Sequence, residues 1–490
     1  MRFPSRRALR AGGVAVVAVA VAMRFAAAQP LWLDETLSVN IARLPLGEVF
    51  EALRHDGSPP LYYLLLHAWI GLFGEGTLAV RALSGVIGVA TIPAAWAFAR
   101  EITRSRQVAD LTALVAATSP FAMRYATEAR MYALVMLLVA LGGWALVHLV
   151  RGPSRGAFAG VALCTGGLLL THYWALYVVA VMGLIVLVRR DWRAVAALVA
   201  GGLLFLPWLP SFRYQLAHTG TPWAPRPQLG AVVDALTEWS GIGPVARLLF
   251  VLLFVLALLG VFGSGVDGRR IELDLRGRPV GRRLAALTFG TLLFGVLAGI
   301  VLRSGYAARY TAVVAVPFLV LVAIGATTLL DDRLRATVVG VTVLLGVATG
   351  IPHVLRQRTQ AGVIAATLRP AVGADDVVVY CPDQLGPAVA RLLPGETRQE
   401  VFPTRAAPHL VDWVDYGQRN EAADPVAYAD DLLRRHPRGT VWLVVAGGYK
   451  TFEDKCERLA ERLRSVRAEE PLVRSRNRYG ERSSLVKFAP

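Results

Sequence analysis

Long apolar segments alternate with short polar ones along the first three quarters of the chain. The first runs from Ala11 to about Ala28, and further candidate membrane spans lie near residues 77–100, 108–124, 131–150, 157–172, 173–188, 194–212, 246–265, 284–303, 308–328 and 336–352. A transmembrane helix needs about 20 mostly apolar residues. The pattern therefore predicts an α-helical polytopic membrane protein with about eleven transmembrane helices. The segments at 108–124 and 157–172 are short for a span, which leaves this count open by about two.

The segment between Pro30 and Gly76 does not have the pattern of a span. Within it, Leu61 to Phe73 is aromatic-rich, amphipathic and too short to cross a bilayer, so it predicts an interfacial helix in the first outer loop. The first apolar segment has two interpretations. Ala26-Ala27-Ala28 resembles the cleavage site of a signal peptide, but an uncleaved first helix is favoured because a polytopic protein follows it.

After about His353 the pattern changes to alternating strands and helices. Residues 375–380 and 440–445 are apolar and β-branched and predict buried strands, whereas residues 384–393 and 452–467 predict helices. This alternation is typical of a small α/β domain. We therefore divide the chain into a transmembrane domain at 1–352 and an α/β domain at 353–490.

Composition supports a membrane protein. The 490 residues are 55% hydrophobic and 18% charged, below the approximately 25% charged that is usual for soluble domains. The net charge of +17 comes from arginine clusters between the spans, as the positive-inside rule and anionic lipid headgroups favour. No basic stripe with interleaved aromatic residues is present, so nucleic acid is excluded as a partner.

The arginine clusters also predict an orientation. Arg2, Arg6, Arg7 and Arg10 place the N-terminus in the cytoplasm, and eleven spans then place the α/β domain outside. The high content of Ala, Arg and Gly suggests a bacterial genome of high GC content. The predicted location is the bacterial plasma membrane.

The three cysteines show no CxxC spacing and no cluster with histidine, so a structural zinc site is not indicated. Cys164 lies in an apolar segment and is interpreted as a small buried side chain. Cys381 and Cys456 both lie in the C-terminal domain. They could pair if that domain is extracytoplasmic, which the sequence leaves open.

Two adjacent carboxylates, Asp34 and Glu35, follow the first apolar segment. Acids at the mouth of a span are costly unless water, a partner cation or chemistry keeps them there. The next outer connection adds Glu128, Arg130 and Tyr132. The outer ends of two later spans add further candidates, Arg303, Arg309 and Tyr310.

Carboxylates and guanidinium groups at one membrane face suit the transfer of a sugar from a phosphate. A carboxylate can take the proton of the acceptor hydroxyl, and arginine can stabilise the departing phosphate with two hydrogen bonds. Four further polar residues on the outer connections are candidates for substrate binding: His55, Asp56, His172 and Tyr173.

Several candidates also have a structural interpretation. Asp34 could be a solvated loop residue. Arg309 could extend to lipid headgroups, Glu128 and Arg130 could form an ion pair, and His172-Tyr173 could belong to an interfacial aromatic belt. His55-Asp56 could cap a turn before Pro59.

Three segments, in this order, resemble the C-type (GT-C) membrane glycosyltransferases. They are Leu33-Asp34-Glu35, the stretch from Gly57-Ser58-Pro59-Pro60 through Tyr63 to Arg81-Ala82-Leu83-Ser84, and Tyr125 to Tyr132. The resemblance is to the protein-mannosyltransferase-like branch (family 39 type), which includes protein O-mannosyltransferases and lipid A aminoarabinose transferases. It covers about the first 210 residues well and the later spans only in pattern.

The resemblance implies a polyprenyl-phosphate sugar donor, a site open to the outer leaflet, and inversion at the anomeric carbon. It implies Asp34 as the base, with Glu35 and Glu128 in support. It also implies that Arg130, Arg309 and Arg303 hold the donor phosphate. Tyr132 and Tyr310, next to these arginines, are predicted to bind the phosphate as well.

The resemblance leaves the substrates open. No β-trefoil insert is recognisable, and the C-terminal domain is not shared across the branch, so the acceptor could be a cell-envelope glycan, lipid or protein. The sugar could be mannose, arabinofuranose or aminoarabinose, so the enzyme is expected to be a hexosyl- or pentosyltransferase. No cofactor is firmly implied; two adjacent acids could hold a divalent metal, but many members of the family work without one.

Two other functions fit a chain with many spans. A transporter or lipid flippase would typically show repeated halves and mid-bilayer helix breaks, and the sequence shows neither. A non-catalytic scaffold for envelope assembly predicts that Asp34 is replaceable.

Overall fold

The structure is a computed structural model that describes residues 6–220, 230–268, 270–302 and 305–490. Helices dominate the first 355 residues. They are Arg6–Met23 (α1), Leu33–Ala42 (α2), Leu46–Asp56 (α3), Leu61–Phe73 (α4), Thr77–Thr103 (α5), Arg106–Thr118 (α6), Pro120–Ala126 (α7), Tyr132–Arg151 (α8), Arg155–Leu169 (α9), Ala175–Val188 (α10), Trp192–Leu203 (α11), Leu209–His218 (α12), Gly230–Glu238 (α13) and Ala246–Phe262 (α14). The antiparallel hairpin Gly263–Asp267 (β1) and Arg270–Leu273 (β2) follows, and then Pro279–Leu302 (α15), Ala312–Ala326 (α16) and Asp332–Leu355 (α17).

Every predicted span coincides with at least one of these helices, which confirms a helical membrane architecture. Among the described residues, six helical segments are long and apolar enough to cross a bilayer: Thr77–Thr103, Tyr132–Arg151, Trp192–His218, Pro279–Leu302, Ala308–Ala326 and Asp332–Leu355. Five apolar helices are shorter: Gly12–Met23, Leu61–Phe73, Arg155–Leu169, Ala175–Val188 and Ala246–Phe262. The predicted span at 108–124 is divided into α6 and α7 because Pro120 cannot continue the preceding helix.

Helix α16 forms the centre of the transmembrane bundle. All of its residues are buried, and it packs against α6, α8, α14 and α15. A helix that is apolar on every side needs neighbours on every side. Gly260 of α14 and Gly325 of α16 allow the two backbones to approach closely, as small residues do in membrane helix pairs.

The C-terminal residues form a small domain around one sheet. Its elements are Ala361–Leu368 (α18), Val377–Cys381 (β3), Gly386–Ala390 (α19), Gln399–Val401 (β4), Tyr416–Glu421 (α20), Pro425–Arg435 (α21), Val441–Val445 (β5), Lys455–Arg464 (α22), Ala468–Val473 (β6) and Ser484–Ala489 (β7). The strand order is β4-β3-β5-β7-β6, in which β3 pairs in parallel with β4 and β5, and β7 pairs antiparallel with β5 and β6. The predicted small α/β domain is therefore confirmed.

Two local features differ from or complete the expectation for this domain. The expected helix at 384–393 is reduced to a 3₁₀ turn and the short α19. Cys381 and Cys456, whose pairing the sequence leaves open, form a disulfide that joins β3 to α22.

Helix α2 lies between the two parts of the molecule. Leu33 and Leu37 pack into the apolar core of the C-terminal domain, with β3 and α22. Val39 and Ile41 of the same helix belong to the core of the transmembrane bundle. The helix that carries Asp34 and Glu35 is therefore held from both sides.

Candidate active site

The two adjacent carboxylates lie in the first turn of α2 and point in different directions. Helix α2 begins after Trp32, whose backbone is extended, and carboxylates are favoured near a helix N-terminus because its amide groups carry partial positive charge. Successive helix residues are about 100° apart. The Asp34 side chain is therefore 17% exposed, whereas that of Glu35 is fully buried.

Two arginines from distant parts of the chain converge on the Asp34 carboxylate. Its Oδ2 lies 3.3 Å from a terminal nitrogen of Arg309 and 4.0 Å from one of Arg130. Arg130 is oriented by hydrogen bonds to the Asp34 carbonyl (3.3 Å), Ser38 Oγ (3.0 Å) and Tyr63 Oη (3.3 Å). The arrangement places one partly accessible acid beside two groups that can bind a phosphate.

Glu35 is held in a buried ion pair. Arg81 of α5 donates two hydrogen bonds to its carboxylate, at 2.7 and 2.6 Å, and the Ala129 N–H donates a third at 3.0 Å. Burial opposes ionisation, but Arg81, followed by Arg358 and the Ala129 N–H, holds the pKa of Glu35 below its usual value. Glu35 therefore remains charged and ties the first turn of α2 to α5 and to the 127–131 connection.

Glu128 is also fully buried, and its partners differ from those considered from the sequence. Its Oε1 lies 3.1 Å from Arg124 and 2.8 Å from Arg358. Residues 127–131 make a turn, and α8 begins only at Tyr132. Arg130 contacts Glu128 through the backbone, where its N–H donates to the Glu128 carbonyl at 2.7 Å.

Aromatic side chains form a wall beside Arg309. His172 lies between Tyr132 and Tyr310, with ring centroids 5.7 and 5.0 Å away. Burial, with Arg130 and Arg309, lowers the pKa of His172 to about 3. The ring is therefore neutral, and its Nδ1 accepts the Trp174 N–H at 3.1 Å, which leaves the proton on Nε2 as a free donor.

Asp56 belongs to the same site through a hydrogen-bond chain. Tyr63 Oη donates to Asp56 Oδ2 at 3.0 Å and accepts from Arg130 at 3.3 Å. Burial raises the pKa of Asp56, against the effect of Arg130.

Two predicted substrate-binding residues have partners elsewhere. His55 contacts Asp412 of the C-terminal domain at 2.9 Å. Tyr173 donates to Gln215 and accepts the Trp208 indole N–H at 2.9 Å, which directs it towards α12. Arg303, the remaining predicted phosphate ligand, lies outside the described residues.

Tyr63 and Arg81 lie in the segments that carry the resemblance but were not predicted as site residues. Neither were Arg358, which contacts Glu128, and Glu481, whose Oε1 accepts the Leu33 N–H. Arg81 carried a signal, since a charged residue within a predicted span usually has a functional or structural partner. Arg358 and Glu481 carried none, because they reach the site from the C-terminal part of the chain. Among the residues that the structure describes, no group of three or more His, Cys, Asp or Glu side chains is placed to bind a metal ion.

Part of the chain matches a known protein family. Residues 57–212 match the sequence model of the dolichyl-phosphate-mannose-protein mannosyltransferases. This segment contains Tyr63, Arg81, Glu128 and Arg130 but not Asp34 or Arg309. A search of curated proteins found no match.

Solved structures share the fold over the whole chain. The apo crystal structure of ArnT from Cupriavidus metallidurans has a TM-score of 0.64 at 15% identity, with 98% of each chain covered. The structure of the same protein bound to undecaprenyl phosphate has a TM-score of 0.62 at 14% identity, with 97% of each chain covered. The arabinofuranosyltransferase AftD from Mycobacteria has a TM-score of 0.55 at 14% identity and covers 100% of this chain and 40% of its own. Together with the family match, these structures confirm the resemblance and the fold class predicted from the sequence.

Proposed function

We propose that this protein, which has the fold of the C-type membrane glycosyltransferases, moves a sugar from a polyprenyl-phosphate donor to a hydroxyl group of a cell-envelope acceptor. The observation that carries the proposal is the position of Asp34. Its carboxylate is partly accessible and lies 3.3 and 4.0 Å from the guanidinium groups of Arg309 and Arg130. One group of this site can accept a proton while the other two hold a phosphate.

The proposed reaction inverts the anomeric carbon. Asp34 takes the proton of the acceptor hydroxyl, and the acceptor oxygen forms a bond to the anomeric carbon on the face opposite the phosphate. The bond from that carbon to the phosphate oxygen breaks, and its electron pair leaves with the polyprenyl phosphate. Arg130 and Arg309 stabilise the negative charge that develops on the phosphate. Such electrostatic stabilisation by preorganised groups is usually the largest single contribution to lowering the activation barrier.

The two buried acids support the base without contacting substrate. Glu35 anchors the first turn of α2 to Arg81, and Glu128 anchors the 127–131 connection to Arg124 and Arg358. Each carboxylate has an oxygen within 3.1 Å of these arginines. We propose that they position Asp34 and Arg130, respectively.

The aromatic wall is proposed to face the sugar. The Nε2–H of neutral His172 is a donor for a sugar hydroxyl, and Tyr132 and Tyr310 provide apolar ring faces next to Arg309. Asp56 orients Arg130 through Tyr63. Because His55 and Tyr173 bind protein partners, we propose no substrate contact for them.

The similar proteins support the class of donor. One was crystallised with undecaprenyl phosphate, another is an arabinofuranosyltransferase, and the matching family is described by a dolichyl-phosphate-linked mannose. We therefore propose a mannosyl- or arabinosyltransferase-like enzyme whose acceptor is a glycan, lipid or protein. The comparisons give no support to a transporter or lipid flippase.

We further propose that the protein spans the bacterial plasma membrane with its N-terminus in the cytoplasm. The arginine clusters between the spans support this orientation. It places the catalytic site and the α/β domain, proposed to comprise residues 353–490, on the extracytoplasmic side.

The proposal is tested by sugar transfer from synthetic short-chain prenyl-phosphoryl mannose, arabinofuranose and aminoarabinose. Wild type is expected to transfer one of them, and Asp34→Asn to lose roughly 10²- to 10⁴-fold in kcat with KM for the donor little changed. Asp375→Asn, at an exposed position of the C-terminal domain, is the matched control. Full activity of Asp34→Asn would refute the role of this base, and a folded wild type that transfers none of the sugars would refute the proposed class.

A further inference from the structure

The side chain before the helix that carries Asp34 makes no capping hydrogen bond. The local contact at this end is a long one, in which the Trp32 N–H donates to Glu35 Oε2 at 3.5 Å. The first N–H groups of a helix have no partner within it, and Ser, Thr, Asp or Asn in the preceding position usually accepts one of them. Here that position is Trp32, whose indole has no acceptor. The Leu33 N–H instead donates to Oε1 of Glu481, 448 positions along the chain, at 2.6 Å.

The backbone of Glu481 is held by two hydrogen bonds to the segment that follows α17. Its N–H donates to the Arg358 carbonyl at 2.7 Å, and its carbonyl accepts the Gln360 N–H at 2.9 Å. The Gln360 amide continues this connection by donating to the Arg474 carbonyl at 2.8 Å and accepting the Arg476 N–H at 3.1 Å. The segment after α17 and the segment before β7 are therefore joined where they meet α2.

Arg358, which accepts the Glu481 N–H, also contacts the 127–131 connection. The Arg358 guanidinium lies 2.8 Å from Glu128 and donates to Thr127 Oγ1 at 3.3 Å. Residues 127–131 lead to Arg130, which contacts Asp34. Arg358 and Glu481 thus contact both segments of the site: the start of α2, which carries Asp34, and residues 127–131, which carry Arg130.

We propose that Glu481 is a positioning residue for the transfer reaction: by capping the first turn of α2 from the C-terminal domain, it fixes the location of the Asp34 carboxylate. The effect on transfer rests on the proposed function, whereas the capping contact does not. Burial, together with the nearby carboxylates of Asp34 and Glu35, raises the pKa of Glu481 to about 8. At neutral pH the group therefore accepts the Leu33 N–H without placing another negative charge beside the base.

The test compares Glu481→Ala, Glu481→Gln and Glu396→Ala in the full-length protein. Glutamine retains a carbonyl oxygen that can accept the Leu33 N–H and resembles the neutral acid, whereas alanine retains no acceptor. Glu396 is exposed in the same domain and serves as the control. Two quantities are measured: amide hydrogen exchange of peptides covering residues 31–42, and kcat and KM for prenyl-phosphoryl sugar.

Glu481→Ala is expected to increase exchange at the start of α2 by about 3- to 30-fold, as loss of a cap does. We expect its kcat to fall roughly 10- to 100-fold, because small displacements of a catalytic group have effects of this size, with KM within about 3-fold of wild type. Glu481→Gln should recover most of both quantities, and Glu396→Ala should match wild type.

Two results would overturn the proposal. Unchanged exchange over residues 31–42 in Glu481→Ala would show that the contact does not order α2. Equal losses of kcat in the alanine and glutamine variants would show that the acceptor is not what matters. Exchange does not depend on the reaction, so a wild type without transfer activity would refute the proposed function while the capping contact is still judged from exchange.

Discussion

Replacing Arg81 with methionine is expected to destabilise the protein strongly, because it leaves a buried carboxylate without its main partner. The Glu35 side chain is fully buried and that of Arg81 is 4% exposed. Arg81 also donates to the carbonyls of Ala27 at 3.0 Å and Gln29 at 2.6 Å. The pair therefore connects α5, the chain before α2 and α2 itself.

The magnitude follows from what remains after the substitution. In Arg81→Met, Glu35 keeps the Ala129 N–H at 3.0 Å and a distant arginine, Arg358, at 3.9 Å. Removing one partner of a buried ion pair costs about 3–5 kcal/mol, and we expect Arg81→Met to fall in this range. Glu35→Gln keeps an acceptor for the Ala129 N–H but leaves the buried Arg81 without its carboxylate. Its expected cost is therefore also about 3–5 kcal/mol.

The assay is equilibrium unfolding in detergent micelles with increasing denaturant, from which the free energy of unfolding is extrapolated. The double variant Arg81→Met/Glu35→Gln is expected to cost at least about 1.5 kcal/mol less than the sum of the single variants. Arg43→Met is the control, since Arg43 and Glu75 lie 2.6 Å apart but about half exposed. Such surface pairs contribute about 0–1 kcal/mol. Additivity of the two substitutions within about 0.5 kcal/mol would refute the reasoning.

Two further outcomes follow from the structure. Gly325→Ala should lower the Tm, at a cost of about 1–3 kcal/mol, because the added Cβ would lie 1.7 Å from the Leu256 carbonyl oxygen. In the control Gly340→Ala the added Cβ has no neighbour within 4 Å, so the Tm should not change. Equal Tm values for the two variants would contradict the packing of α14 against α16. Since burial raises the folded-state pKa of Glu481 from 4.5 to about 8, the stability due to its neutral form is complete below about pH 4.5 and is lost as the pH rises through about 8. The fall in Tm between pH 5.5 and 8.5 should therefore be smaller in Glu481→Gln than in wild type, and an equal fall would contradict the raised pKa.

The residues around Asp34 show why part of the site was predictable. Arg130 and Arg309 are far apart along the chain, yet both were expected near Asp34. Spans of similar length place alternate connections at the same membrane face. The order of apolar segments thus predicts which loops lie at the same membrane face, and therefore which of their residues can be near Asp34.

Neighbouring residues in these loops could not be distinguished in the same way. His172 packs against Tyr310, whereas Tyr173 turns towards α12. Asp56 joins the site through Tyr63, whereas His55 contacts the C-terminal domain. A side chain's direction depends on the local backbone and on its neighbours, which no pattern of loop residues specifies.

Strand β6 of the C-terminal domain was not predicted from the sequence, because it has few buried apolar positions. Strand β6 is mostly exposed and contains Pro471, features of an edge strand that carry little apolar signal. Strands β3 and β5, which are buried on both faces, were predicted within one or two residues.

The sequence by itself determined the helical membrane architecture, the small α/β domain, and the acid and guanidinium groups of the candidate site. Each of these follows from local periodicity and from the cost of placing charge in a bilayer. Only the tertiary structure decided that Asp34 is accessible while Glu35 is paired with Arg81, and that Arg358 and Glu481 reach α2 and Glu128 from the far end of the chain. Such contacts depend on how elements that are distant in the sequence pack together. A buried charge requires a partner, and the packing decides which residue is close enough to be that partner.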